Sequence, residues 1–183
     1  MTSQSFSLIP FSGRDVPNLT MSGTIERRNN LFTIYYKLAG DLGAVFLPSS
    51  GTNPTRKDEL WRTTCFELFL AVKESLGYWE FNMSPSGDWN VYVIDEYRQV
   101  NMREERRIQQ LQFQTQTDLN CLSLRAEIDL NSILQNEQVI EAGITSVVQL
   151  HTKKESYWAL VHPQATADFH LRDSFLLELP ARL

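Results

Sequence analysis

Cysteine, histidine and basic runs are scarce in this sequence, and each shortage removes a class of function. Two cysteines exclude a disulfide framework, and both Cys65 and Cys121 lie in strand-like runs where buried free thiols are common. The three histidines, His151, His162 and His170, lack metal-ligand spacing, so no metal and no cofactor is expected. A net charge of -5 without a basic block argues against nucleic acid as the partner. No apolar run approaches the roughly 20 residues of a spanning helix, so no membrane partner is expected. The segment from Met1 to Phe6 lacks the basic and apolar regions of a secretory signal, which gives the expectation of a cytoplasmic location. Neither a Ser-His-Asp order nor a Gly-rich phosphate loop or dinucleotide fingerprint is recognisable.

What is present is alternation. With 183 residues and 42% apolar content the chain can bury a full core, and residues 1–183 read as a single domain. Short alternating segments punctuated by turn residues predominate and helical periodicity is scarce, so the class is all-β. Leu19 to Arg27 and Leu31 to Leu38 form a predicted hairpin across Arg28-Asn29-Asn30, whose asparagines tolerate left-handed backbone. Phe6 to Pro10 reads as an edge strand and Ala44 to Leu47 as a short one. Further strands fall near Leu111 to Gln116, Cys121 to Ile128, Ile144 to His151, Tyr157 to Val161 and Phe175 to Leu179. Roughly ten strands suit a two-sheet antiparallel β-sandwich of jelly-roll type. The polar, turn-rich stretch from Pro48 to Asp58 is a surface loop leading into the centre of the chain.

That centre, Leu60 to Arg98, carries the chemistry. Thr63 to Leu70, Tyr78 to Met83 and Trp89 to Ile94 fit three strands, the last two joined by Ser84-Pro85-Ser86-Gly87-Asp88, a tight-turn sequence. Pairing Met83 with Trp89 puts Trp79, Phe81, Met83, Trp89, Val91 and Val93 on one face and Glu80, Asn82, Asn90 and Tyr92 on the other. Phe66, Leu68 and Leu70 join the apolar layer, which leaves Glu67 and Cys65 with the polar one.

Three motifs carry a resemblance. Leu60-Trp61-Arg62-Thr63-Thr64-Cys65-Phe66-Glu67, Tyr78-Trp79-Glu80-Phe81-Asn82-Met83-Ser84-Pro85-Ser86-Gly87-Asp88-Trp89, and Tyr157-Trp158-Ala159-Leu160-Val161-His162-Pro163 with Asp168-Phe169-His170 resemble bacterial DOMON-like domain proteins. The wider relatives of that family are the family nine carbohydrate-binding modules and the DOMON domains that bind haem or sugars. The resemblance implies a β-sandwich with a ligand face, and a saccharide as ligand.

The residues suit that ligand, because carboxylates and amides hydrogen-bond sugar hydroxyls while aromatic rings stack on C–H faces. Trp61, Arg62, Glu67, Glu80, Asn82, Asn90 and Tyr92 supply the mixture, and His162 and His170 flank a loop at the rim of the same face. The competing reading is a solvated outer face on which Glu67 or Glu80 pairs with Arg62 or Arg98. Other functions stay open: a glycoside-processing enzyme using Glu67 and Glu80 as paired carboxylates, a haem-binding domain, or a protein-interaction module. The expectation is a non-catalytic domain that binds a small saccharide-like ligand.

Overall fold

A computed structural model describes residues 2–11, 18–49, 51, 53–97 and 102–180. Its strands are β1 (Thr2–Pro10), β2 (Leu19–Arg28), β3 (Leu31–Gly40), β4 (Cys65–Val72), β5 (Tyr78–Met83), β6 (Trp89–Ile94), β7 (Arg103–Glu104), β8 (Gln112–Asp118), β9 (Cys121–Asp129), β10 (Ile140–Gln149), β11 (Glu155–Ala159) and β12 (Leu177–Leu179). The class is all-β and the pairing is antiparallel throughout the named strands, as alternation predicts. Arg98 lies outside the described residues, as do Ser50 and Thr52 of the predicted surface loop.

Two separate sheets are not what the hydrogen bonds form. One path of paired strands runs β7-β6-β5-β4-β10-β11-β1-β2-β3-β9-β8, and β12 adds to β10 beside β11. The cause is β1, predicted as an edge strand. Its residues 2–8 pair with β2, while Ile9 and Pro10 pair with Ala159 and Trp158 of β11, so it passes from one half of the sheet into the other. The result is a single strongly curled sheet whose halves face each other. Ala44 to Leu47 is not a strand either: Leu42–Ala44 forms a 3-10 turn and Val45 makes one isolated bridge with Leu150.

The concave side of the curl holds the core. Phe32, Ile34, Tyr36 and Leu38 of β3 alternate with outward residues, and they meet Phe66, Leu68, Leu70, Phe81 and Met83 from the other half in one buried cluster. Tyr36 joins the halves twice. Its ring centroid lies 5.1 Å from that of Phe66, and its hydroxyl donates to the Glu67 carbonyl at 2.7 Å. The two hairpins that frame the core have the expected turns: Asn29 takes φ 55° between β2 and β3, and Gly87 takes φ 94° between β5 and β6.

One buried cation closes the end of the curl. Arg27 is 2% exposed and has no carboxylate partner among the described residues; it donates instead to the carbonyls of Asn29, Gln138, Leu179 and Asn136 at 2.6 to 3.2 Å. Those bonds tie β2 to β12 and to the turn before β10. Buried carbonyls that lose their donor are costly, so Arg27→Met should destabilise the protein by about 3 kcal/mol in urea denaturation. A loss below about 1 kcal/mol would show that water replaces the guanidinium.

Candidate functional site

The convex face of β4, β5 and β6, opposite the core, follows from strand register. Met83 pairs with Trp89, Asn82 with Asn90 and Glu80 with Tyr92, the register that the turn sequence predicts. Glu67 pairs with Asn82 on one side and Thr145 on the other, and Phe69 lies between Glu80 and Gly143. Two rows therefore cross the strands: Thr145, Glu67, Asn82, Asn90, and beside it Gly143, Phe69, Glu80, Tyr92. Glu67 and Glu80 are diagonal neighbours, a spacing of roughly 7–8 Å between α-carbons.

This face is not solvated. Glu67 is 2% exposed, Glu80 4%, and Asn82 and Asn90 are fully buried. Two coverings account for it. Residues 55–57 run along the edge of β6 in a parallel bridge, with bonds from Trp89 N–H to the Thr55 carbonyl (3.1 Å) and from Lys57 N–H to the Trp89 carbonyl (2.9 Å), and residues 60–62 then pack against β4, β5 and β10. Within that covering Arg56 donates to Asn90 Oδ1 at 2.7 Å and stacks over the Trp89 ring at 4.3 Å, and Asn90 Nδ2 donates to Tyr92 Oη at 3.0 Å. Tyr92 in turn donates to Asp58 Oδ1 at 2.5 Å. Glu59, at φ 55°, turns the chain into the 3-10 segment Leu60–Arg62, which brings Trp61 edge-on to Tyr92 at 5.7 Å.

The second covering is aromatic. Phe69, Ala71, Tyr78, Tyr92, Ile94 and Phe175 form a separate apolar cluster on the outer face, with Trp61 and Phe169 packed against it. Gly143 permits it, since a Cβ there would stand 2.7 Å from the Phe175 ring. His170 packs edge-on to Phe69 at 5.4 Å, and its Nδ1 is 2.9 Å from Tyr78 Oη. Phe169 packs against Tyr157 at 6.0 Å.

Between the coverings lies a pocket of about 510 Å³. Glu67, Glu80, Phe69 and Val147 line it, together with Trp61, Arg62, Glu155 and Tyr157 and the segment from Ala167 to His170; Met102 completes it. Of the residues predicted as a site, Trp61, Arg62, Glu67 and Glu80 thus come together. Asn82 sits behind the lining and donates to Glu80 Oε1 at 2.8 Å. Asn90 and Tyr92 belong to the network under residues 53–62 and do not line the pocket. His162 does not line this pocket: it lies against the Ile9 carbonyl (3.0 Å) and Phe11 (5.1 Å), whereas His170 does line it. Arg62 does not pair with Glu67 or Glu80 but with Glu59, at 2.7 Å.

Phe69 and the Tyr157 and Phe169 rings were absent from the predicted site. Phe69 has the parity of Glu67 along β4, so alternation alone could have placed it. Tyr157 and Phe169 stand in the motifs that carry the family resemblance but offer no periodicity to fix their orientation.

The two carboxyls differ in their satisfaction. Glu67 Oε2 accepts from Thr145 Oγ1 at 2.9 Å, whereas Glu80 Oε2 is buried and has no hydrogen-bond partner among the described residues. Burial first, and then the neighbouring Glu80 charge, push Glu67 well above the usual carboxyl range. Burial pushes Glu80 up as well, against the opposing hydrogen bond from Asn82. Among the described residues, no group of three or more His, Cys, Asp or Glu side chains is placed to hold a metal ion.

No protein-family model matches the chain, and no curated protein does. Solved structures do. A candidate carbohydrate-binding protein from Bacteroides uniformis is 14% identical with a TM-score of 0.64, over 93% of this chain and 83% of that one. A family nine carbohydrate-binding module from Caldicellulosiruptor kristjanssonii, solved with glucose, is 11% identical with a TM-score of 0.50, over 82% of this chain and 71% of that one. Its structure with cellotriose gives 11% and 0.50, over 86% and 75%. At these identities the likeness is one of fold.

The raised carboxyls set the pH dependence of stability. A group whose folded pKa exceeds its unfolded value stabilises the fold below the unfolded pKa and loses that contribution as pH rises through the folded one. Because burial raises both Glu67 and Glu80 above the usual carboxyl range, stability should fall as pH rises from that range through neutrality. Urea midpoints measured from about pH 5 to about pH 8 should decline, and Glu80→Gln should flatten the decline. A wild-type profile that rises over this range would contradict the assignment.

Proposed function

We propose that the chain is a non-catalytic binding domain for a short saccharide, held in the pocket above Glu67 and Glu80. The single observation behind this is Glu80, which lines a pocket of about 510 Å³ and whose buried Oε2 has no hydrogen-bond partner among the described residues. Buried polar atoms are nearly always satisfied, and in this reading a donating ligand supplies the partner that Glu80 lacks. A sugar hydroxyl donates and accepts at once, so it can bond Glu80 and remain available to Glu67. The rings of Trp61, Tyr157 and Phe169 supply apolar surface for its C–H faces.

The remaining predicted residues take supporting roles in this reading. Asn82 fixes the Glu80 carboxyl, and Asn90 and Tyr92 hold the covering that carries Trp61. Arg62, 69% exposed, offers donors at the mouth. Support also comes from fold: a module of similar fold has been solved with glucose and with cellotriose, ligands that suit a pocket of this volume. The DOMON-like motifs agree with the same reading, and a cytoplasmic location would direct the search to mono- and disaccharides before polysaccharides.

The test is the shift in melting temperature across glucose, cellobiose, cellotriose and a wider panel of sugars and sugar phosphates, since a ligand of the native state must stabilise it. A dose-dependent rise is expected with one class. Glu80→Gln should weaken that binding more than tenfold while leaving melting temperature equal or higher, because it removes a desolvated carboxyl. Unchanged affinity with a large loss of stability would make Glu80 structural, and silence across the panel would remove the saccharide reading in favour of protein interaction.

A further inference from the structure

We propose that the saccharide taken by this pocket carries a protonated amine, so that the ligand is an amino sugar and not its neutral parent. The proposal rests on the saccharide reading above and goes further by fixing the charge of the ligand.

Charge around the pocket supports it. Glu67, Glu80, Glu155 and Asp168 line it, four carboxyl groups within one cavity. Among the described residues, Arg62 alone of the arginines and lysines lines that cavity, and its guanidinium is paired with Glu59 and largely in water. The buried carboxyls therefore have no arginine or lysine partner among the described residues. Thr145 and Asn82 each give one neutral hydrogen bond, which leaves Glu80 Oε2 free to accept.

A neutral hydroxyl would satisfy that atom while leaving the pair in the protonated form that burial favours. An ammonium group brings three donors on one nitrogen and a positive charge that favours the ionised form of both carboxyls, so the pair can release its protons on binding and hold the cation. The aromatic walls are compatible with the same group, because a cation is attracted to the faces of Trp, Tyr and Phe rings. A metal ion fits less well. A divalent cation wants six or more oxygen ligands, and no cluster of three metal-binding side chains is available among the described residues. A pocket of about 510 Å³ leaves room for the sugar ring to which the amine belongs.

Calorimetric titration of the native protein at neutral pH tests this with D-glucosamine, D-galactosamine and D-mannosamine against D-glucose, D-galactose, D-mannose and the N-acetylated forms, in which the amine is neutralised. Ethanolamine serves as an amine without a ring. At least one amino sugar should bind more than tenfold tighter than its parent and its N-acetyl form, and tighter than ethanolamine. Glu80→Gln should reduce that preference to less than threefold; should that variant misfold, added salt on the wild type should shrink the preference instead. Parents that bind as well as the amino sugars would overturn the amine and leave the saccharide reading standing. Ethanolamine binding as tightly as any amino sugar would overturn the proposal from the other side, and no binding by any sugar would end both readings.

Discussion

Two carboxyl groups held out of water on one sheet face are the constraint on which the rest of the outer structure depends. A buried carboxylate costs several kcal/mol unless it is paired or hydrogen-bonded. The fold could have left Glu67 and Glu80 on a solvated surface, which is the ordinary fate of alternating polar residues on an antiparallel sheet. Instead residues 55–62 border one side of that face and an aromatic cluster covers the other. Each covering needs its own fastening. Arg56, Asn90, Tyr92 and Asp58 form a chain of hydrogen bonds for the first, and Gly143 makes room for Phe175 in the second.

The curl of the sheet makes these coverings local. Because β1 runs from one half into the other, the concave side is closed on itself and filled with apolar side chains, and Tyr36 bonds the Glu67 carbonyl across it. The backbone that carries Glu67 is thereby fixed from the inside. β4 is buried on both faces for the same reason: it is the strand between the main core and the second cluster. Rigid backbone beneath a site is what keeps donors and acceptors within the geometry that recognition requires.

Much of this was legible in alternation. The Ser84 to Asp88 turn fixed the register of β5 on β6, and that register sorted Glu80, Asn82, Asn90 and Tyr92 onto one face as the structure has them. What alternation cannot tell is whether a polar face meets water or a covering. The covering comes from residues distant in sequence, 53–62 and 167–175, whose placement depends on long-range packing and not on periodicity. The same limit explains β1: Phe6 to Pro10 reads as an edge strand, while its second partner, β11, lies about 150 positions further along. It also explains His162, which shares a loop with His170 but falls on the other side of it, against Ile9.

Burial alone does not leave a carboxyl without a partner in this protein, and one residue demonstrates it. Glu105 is 4% exposed, the same as Glu80. Yet Glu105 accepts from the Arg107 backbone N–H at 3.0 Å, from its guanidinium at 2.6 and 2.9 Å, and from Trp79 Nε1 at 3.1 Å. Its carboxyl is accordingly held down to about 2, chiefly by the Arg107 side chain. That is how this chain treats an acid whose work is structural: an adjacent arginine, both oxygens bonded, the charge secured. Glu80 has one amide and no cation, and its carboxyl moves in the opposite direction. Proteins retain such unsatisfied groups where function requires them, at a cost in stability. The contrast between two glutamates of equal exposure therefore lies in their partners: Glu105 is secured by Arg107 and Trp79, whereas Glu80 has Asn82 alone among the described residues.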